Sequence, residues 1–186
     1  MIDIFFRKYF IFQNINQVLA NRPSHQYGSS VVELSKETRK LAEVFSYLFV
    51  LSQRIEYITD SFLKKDNLTT KQLLTLIAIG NAFDANPSVS EVAEVLSTSH
   101  QNVKQIALNL QRRGFVEIVK DPKDGRRRLL KLTKSNDEFW EARDTENYEN
   151  MKRIFSYLTK EEISQFHKIL SKSVIGIQSL YKEIRG

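Results

Sequence analysis

The stretch from Val31 to Lys65 contains neither proline nor glycine, and within it Leu34, Leu41, Leu48, Ile55 and Phe62 fall seven residues apart. Val44, Leu51 and Ile58 each follow a member of that series by three residues. A strand would alternate with period two, whereas this spacing draws an a/d stripe along one side of a helix. At ~1.5 Å per residue the helix would be about 50 Å long. That is too long to bury its stripe inside one small domain, so the pattern suggests a dimer. Phe45 and Phe49 widen the apolar face.

The remaining segments are ordered by their punctuation. The opening MIDIFFRKYFIFQNINQVLA places Phe5, Tyr9, Phe12 and Leu19 at helix-like spacing. It reads as an arm packed on the body of the protein or on a dimer mate. The alternative is a helix lying on a membrane surface. Arg7 and Lys8 interrupt the apolar run, so it has neither the pattern of a secretory leader nor the length to span a bilayer. Asn21 to Ser30 has linker composition. After the long helix, Thr69 with Gln72 suggests a helix start and Gly80 a helix stop. Ser88 with Glu91 is a second capping box, and Val89, Val92, Ala93 and Leu96 form its buried face. Ser99 caps a further helix whose inward positions are Val103, Ile106, Ala107 and Leu110 and which ends at Gly114. With only Ser97 and Thr98 between them, these two helices make a helix-turn-helix. Phe115 to Val119 and Arg128 to Leu132 then read as two strands joined by a loop with Asp124-Gly125 near its tip. A helix from about Thr133 to Tyr157 and another starting at Thr159, capped with Glu162, complete the chain.

Charge is concentrated in one place. The chain carries a net +6. From Ser99 to Thr133 there are nine basic residues and three acidic ones, while the rest of the chain balances. A basic strip on a neutral body suggests a nucleic-acid partner, the plainer reading being a solvated basic face. The absence of cysteine excludes disulfides and thiol chemistry and is compatible with a cytosolic protein. The three histidines, His25, His100 and His167, lack metal-ligand spacing. No phosphate-binding loop, nucleophile elbow or zinc-protease motif occurs, so neither an enzyme nor a cofactor is expected.

A helix-turn-helix followed at once by a hairpin is a winged helix. The chain here resembles the MarR family of bacterial transcriptional regulators over about Val31 to Ile184. The carriers are LTTKQLLTL, SVSEVAEVLSTSHQNVKQIALNLQRRGFVE, DPKDGRRRLLKLT and LTKEE. In the wing, Asp124, Arg126, Leu132 and Thr133 match the family pattern of Asp two before Arg, ahead of a strand ending in Leu-Thr. The family often has Gly-Ile or Gly-Val in the turn, where this chain has Ser97-Thr98. Members that sense peroxide use a reactive cysteine, which is absent here. The resemblance implies a mainly α fold with a small β-hairpin wing and helical dimerisation elements at both ends. The expected divisions are an arm and linker over 1–30, a dimerisation helix over 31–66, a winged helix over 67–133 and C-terminal dimerisation helices over 134–186. It also implies a homodimer on a pseudo-palindromic operator in double-stranded DNA, repression by occlusion of polymerase, and a small-molecule effector that shifts the spacing of the two lobes. No residue signature marks the effector's pocket, and no membrane partner is expected.

The expected contacts for a major groove are Ser99, His100, Gln101, Asn102, Lys104, Gln105 and, a turn later, Asn109, and the inward series in the second helix of the motif puts most of them on the opposite, exposed face. Gln and Asn suit adenine, and Lys suits guanine or phosphate. In the wing, Arg126 is expected to enter the minor groove, Asp124 to hold Arg126 or the loop, and Lys123 and Arg127 to meet phosphate. The direction of Arg128 stays open. A solvated helix face, a solvated hairpin tip and a winged helix that binds a protein partner without specific DNA affinity remain the alternatives.

Overall fold

The structure, a computed structural model, describes residues 36–185. The N-terminal arm, its linker and the start of the long helix, with Leu34, lie outside the described residues. The chain divides into two compact units between Thr70 and Lys71.

In the first unit, helix α1 (Lys36–Leu63) is followed by a 3-10 turn (Lys64–Asp66). Its 28 residues span about 42 Å. Leu41, Leu48 and Ile55 of the heptad series are exposed, as are Val44, Leu51 and Ile58. Phe45 and Phe49 meet edge to face with ring centroids 4.9 Å apart. Asn67 ends the segment at φ 52°. Its amide donates to the Lys64 carbonyl and the Leu68 amide to that of Leu63. Asp60 Oδ1 then accepts from the Thr70 amide (2.6 Å) and hydroxyl (2.8 Å).

The second unit is a winged helix. Helix α2 (Thr70–Asn81) leads through a loop to α3 (Val89–Val95), α4 (His100–Arg112), strands β1 (Val116–Lys120) and β2 (Arg128–Leu132), and helices α5 (Lys134–Glu141), α6 (Asp144–Ile154) and α7 (Lys160–Arg185). The core follows from the periodicities. Val92 of α3, Val103, Ala107 and Leu110 of α4, Val116 of β1 and Leu130 of β2 are at most 1% exposed. β1 and β2 pair antiparallel, with Ile118 opposite Leu130. Ser88 adds a bridge to Leu129 on the other edge of β2, and the Leu130 amide donates to the Pro87 carbonyl at 2.8 Å. β2 is therefore flanked on both sides.

Three readings shift. Gly80 does not stop α2, which runs on to Asn81. A side chain at that position would approach Leu132 Cδ1 at 3.1 Å, so glycine serves a close crossing there. The first strand starts at Val116 instead of Phe115, because the Phe115 amide is spent closing the end of α4 on the Leu110 carbonyl. The helix expected over 133–157 is two helices, broken at Ala142 and Arg143. There the Arg143 amide takes the Trp140 carbonyl, three residues back. Its buried guanidinium lies 5.6 Å from the centre of the Phe139 ring.

Candidate nucleic-acid interface

The turn between α3 and α4 is made by main-chain hydrogen bonds. The Thr98 amide donates to the Ala93 carbonyl and the Ser97 amide to that of Glu94, both at 3.0 Å. This is the Schellman pattern, which needs a left-handed residue at the position Ser97 fills. Ser97 does adopt φ 49°. A non-glycine residue pays about 1–2 kcal/mol there, partly offset because glycine gives the unfolded chain about 0.4–1 kcal/mol more freedom. Ser97→Gly should therefore stabilise the protein by up to about 1 kcal/mol, raising Tm by ~2–4 °C. A lowered Tm in thermal unfolding would show that the Ser97 side chain has another role.

α4 starts on Ser99, whose hydroxyl oxygen accepts from the Asn102 amide at 3.2 Å. It ends in the same manner as α3. Gly114 takes φ 78°, its amide donates to Gln111, and that of Phe115 donates to Leu110. With both ends fixed and Val103, Ala107 and Leu110 buried, Ser99, His100, Gln101, Asn102, Lys104 and Gln105 come together on the exposed side. The helix has no acidic residue. Besides Ser99, two of the expected contact residues are already engaged through their side chains. Asn102 Nδ2 donates to Thr98 Oγ1 at 3.0 Å, leaving one amide hydrogen and the carbonyl oxygen for other partners. Asn109 is half-buried and accepts from the Arg112 guanidinium. Thr98 was not singled out from the sequence, although its position four residues before Asn102 is the available signal.

The wing loop is held by two carboxylates that mimic turns. Asp121 Oδ1 accepts from the Lys123 amide (2.8 Å), and Asp124 Oδ1 from the Arg126 amide (3.0 Å). Asp124 thus fixes the backbone of Arg126 and leaves its guanidinium alone. The three arginines differ. Arg126 is exposed and its side chain has no partner among the described residues. Arg127 reaches Glu91 Oε2 at 3.0 Å and Asp121 Oδ2 at 3.8 Å. Arg128 folds back onto the carbonyls of Gly125 (3.0 Å) and Arg127 (3.3 Å). Lys123 is exposed at the loop tip.

Glu91 also completes the capping box of α3, accepting from the Ser88 amide and hydroxyl, both at 2.7 Å. Those two donors, with Arg127 beside them, hold its carboxyl below the usual carboxylate range. At the far end of the wing, Thr133 ties three elements together. Its hydroxyl donates to the Gly114 carbonyl at 2.5 Å, its amide donates to the Phe115 carbonyl, and its Oγ1 accepts from the Asn136 amide to cap α5. This accounts for a Leu-Thr ending to the strand, with Leu132 over Gly80 and Thr133 at the junction.

Residues 66–127, from the turn after α1 into the wing, match the model of the MarR family. Over that third of its length the chain is similar to the MarR family. Over 78 residues it is 37% identical to the transcriptional activatory protein BadR of Rhodopseudomonas palustris, a match covering 41% of this chain and 45% of BadR. The chain thus matches less than half the length of that relative. Among solved structures, a MarR protein from Peptoclostridium difficile superposes with a TM-score of 0.69 at 20% identity, covering 88% of this chain and 99% of the other. A mutant MarR from E. coli complexed with operator DNA gives 0.63 at 21%, covering 75% and 99%. An S. aureus MepR–DNA complex gives 0.60 at 26%, covering 71% and 97%. These likenesses show the MarR winged-helix fold. No helix among the described residues is long and apolar enough to cross a membrane.

Proposed function

We propose that this chain is a bacterial, cytoplasmic transcriptional regulator that binds a pseudo-palindromic operator as a homodimer. The observation that carries the reading is the acid-free exposed face of α4, followed in the same unit by a wing whose Arg126 has no partner among the described residues. In a phosphate-lined major groove a carboxylate would be repelled, while Gln101, Asn102 and Gln105 can exchange hydrogen bonds with base edges. Lys104 and Lys123 suit phosphate, and Arg126 suits a narrow, strongly negative minor groove.

The dimer is supported by the apolar stripe of α1, exposed in the single chain, and by the exposed Val174, Ile177, Leu180 and Ile184 on α7. Contiguous apolar surface of this kind marks an interaction site. Two copies would place their α4 helices in successive major grooves about 34 Å apart. Where the operator overlaps a promoter, the bound dimer excludes polymerase and represses. An effector that favours one spacing of the two copies would shift operator affinity.

The deciding experiment is binding of the purified protein to the DNA upstream of its own coding region, titrated with salt. A dimer contacting ~6–10 phosphates should lose about 10³–10⁵ in affinity between 50 and 200 mM salt. It should also prefer that DNA to an unrelated duplex of equal length. Equal affinity for both would favour a winged helix that meets an acidic protein instead. A reporter fused to the same upstream region reads repression or activation directly.

A further inference from the structure

Arg127 and Glu91 are 36 residues apart and belong to different parts of the winged helix, the wing loop and the first turn of α3. Their contact is built from both sides. Glu91 Oε2 is positioned by two donors from Ser88, so its carboxylate is held independently of the arginine. Arg127 is fixed at its backbone, its amide donating to the Asp124 carbonyl (2.9 Å) and its carbonyl accepting from the Asp121 amide (3.2 Å). Asp121 supplies the second carboxylate, and its side chain is only 10% exposed. Its other oxygen shapes the loop through the Lys123 amide. Two carboxylates and one guanidinium carry a net charge of −1. The cluster therefore offers no attraction to a polyanion and disfavours a phosphate beside Arg127.

We propose that Glu91 is a positioning residue for DNA recognition: with Asp121 it holds the Arg127 guanidinium against the body of the domain, so that Arg126 alone of the three arginines projects from the wing. Arg127 then acts as the wing's anchor, and the angle at which Arg126 leaves the loop is set from α3. This rests on the DNA-binding reading above. It adds a specificity determinant that touches no DNA. Arg127 and Glu91 are both 46% exposed at the side chain, and exposed pairs of this kind favour their closed arrangement by only about two- to fivefold. The expected effects are correspondingly moderate.

Glu91→Gln is the informative variant, because glutamine still serves a capping box but removes the charge facing Arg127. In the full-length protein without DNA, ¹⁵N heteronuclear NOE values at the Gly125 and Arg126 amides should fall relative to wild type. Unchanged values there overturn the anchor whatever the DNA result. With the protein's own upstream DNA, the preference over an unrelated duplex should fall about two- to fivefold. The salt dependence should steepen by about 0.9 per protomer as Arg127 reaches a phosphate. Arg127→Ala should lose the same preference without the steeper slope. If Arg127→Ala instead flattens the slope by about 0.9 per protomer, Arg127 already sits on phosphate in the wild type and the proposal is wrong. A wild-type protein with no operator preference rejects the DNA-binding reading, while the NOE comparison still decides whether Glu91 orders the wing.

Discussion

Leu130→Ala should cost about 2–5 kcal/mol of stability, the range for a leucine truncated in a packed core. Leu130 is fully buried in the middle of β2. It faces Ile118 across the hairpin, and its amide is bonded to Pro87 on the other side. With both flanks of the strand held, the surroundings have little room to collapse into the vacated space, which places the expected loss toward the upper part of that range. Since folded domains are stable by only about 5–15 kcal/mol, the variant should be close to unfolding. Urea denaturation at matched protein concentration would show a lower midpoint with the slope unchanged. A loss below 1 kcal/mol would mean that the strand is not the centre of the core.

Arg126→Ala should weaken operator binding by about tenfold or more for each protomer, the scale of one charge-assisted hydrogen bond made without competing partners. The exposed side chain has no hydrogen bond or ion pair among the described residues, so little in the fold should be lost when it is removed. Circular dichroism and Tm should stay at wild-type values. The loss should be larger on operators whose wing-facing steps are A·T-rich, where the minor groove is narrow, than on G·C-substituted versions. Unchanged affinity on both would remove the wing from DNA recognition.

The contrast among these arginines shows where sequence reasoning works and where it stops. Local signals survive intact. Ser88 and Glu91 make the expected capping box, Ser99 caps α4, Thr159 and Glu162 exchange both bonds of theirs, and Gly114 ends its helix in a left-handed turn. Each depends on residues within about five positions of one another. What stayed illegible is non-local or competes for one group. Nothing near Arg127 announces Glu91. The bridge from Ser88 to Leu129 joins residues 41 apart in number. Phe115 fits a strand by type, but its amide is claimed by the preceding helix. Arg143 fits a helix by type, but it is buried against Phe139 where the helix breaks. The face of α4 was legible because its period is local, whereas the engagement of Asn102 with Thr98 and of Asn109 with Arg112 depends on rotamers that periodicity does not specify.

The main-chain construction of the turn before α4 has a consequence for how the exposed face of that helix can change over generations. The angle between α3 and α4 is held by the amides and carbonyls of the turn, by Ser97 in a left-handed backbone, and by the buried Val92, Val103, Ala107 and Leu110. Apart from the Thr98–Asn102 bond, the exposed residues of α4 take no part in holding that angle. His100, Gln101, Lys104 and Gln105 can therefore drift, one substitution at a time, without disturbing the frame that presents them. If that face reads DNA as proposed, new target sequences are open to it by point mutation with the same turn kept.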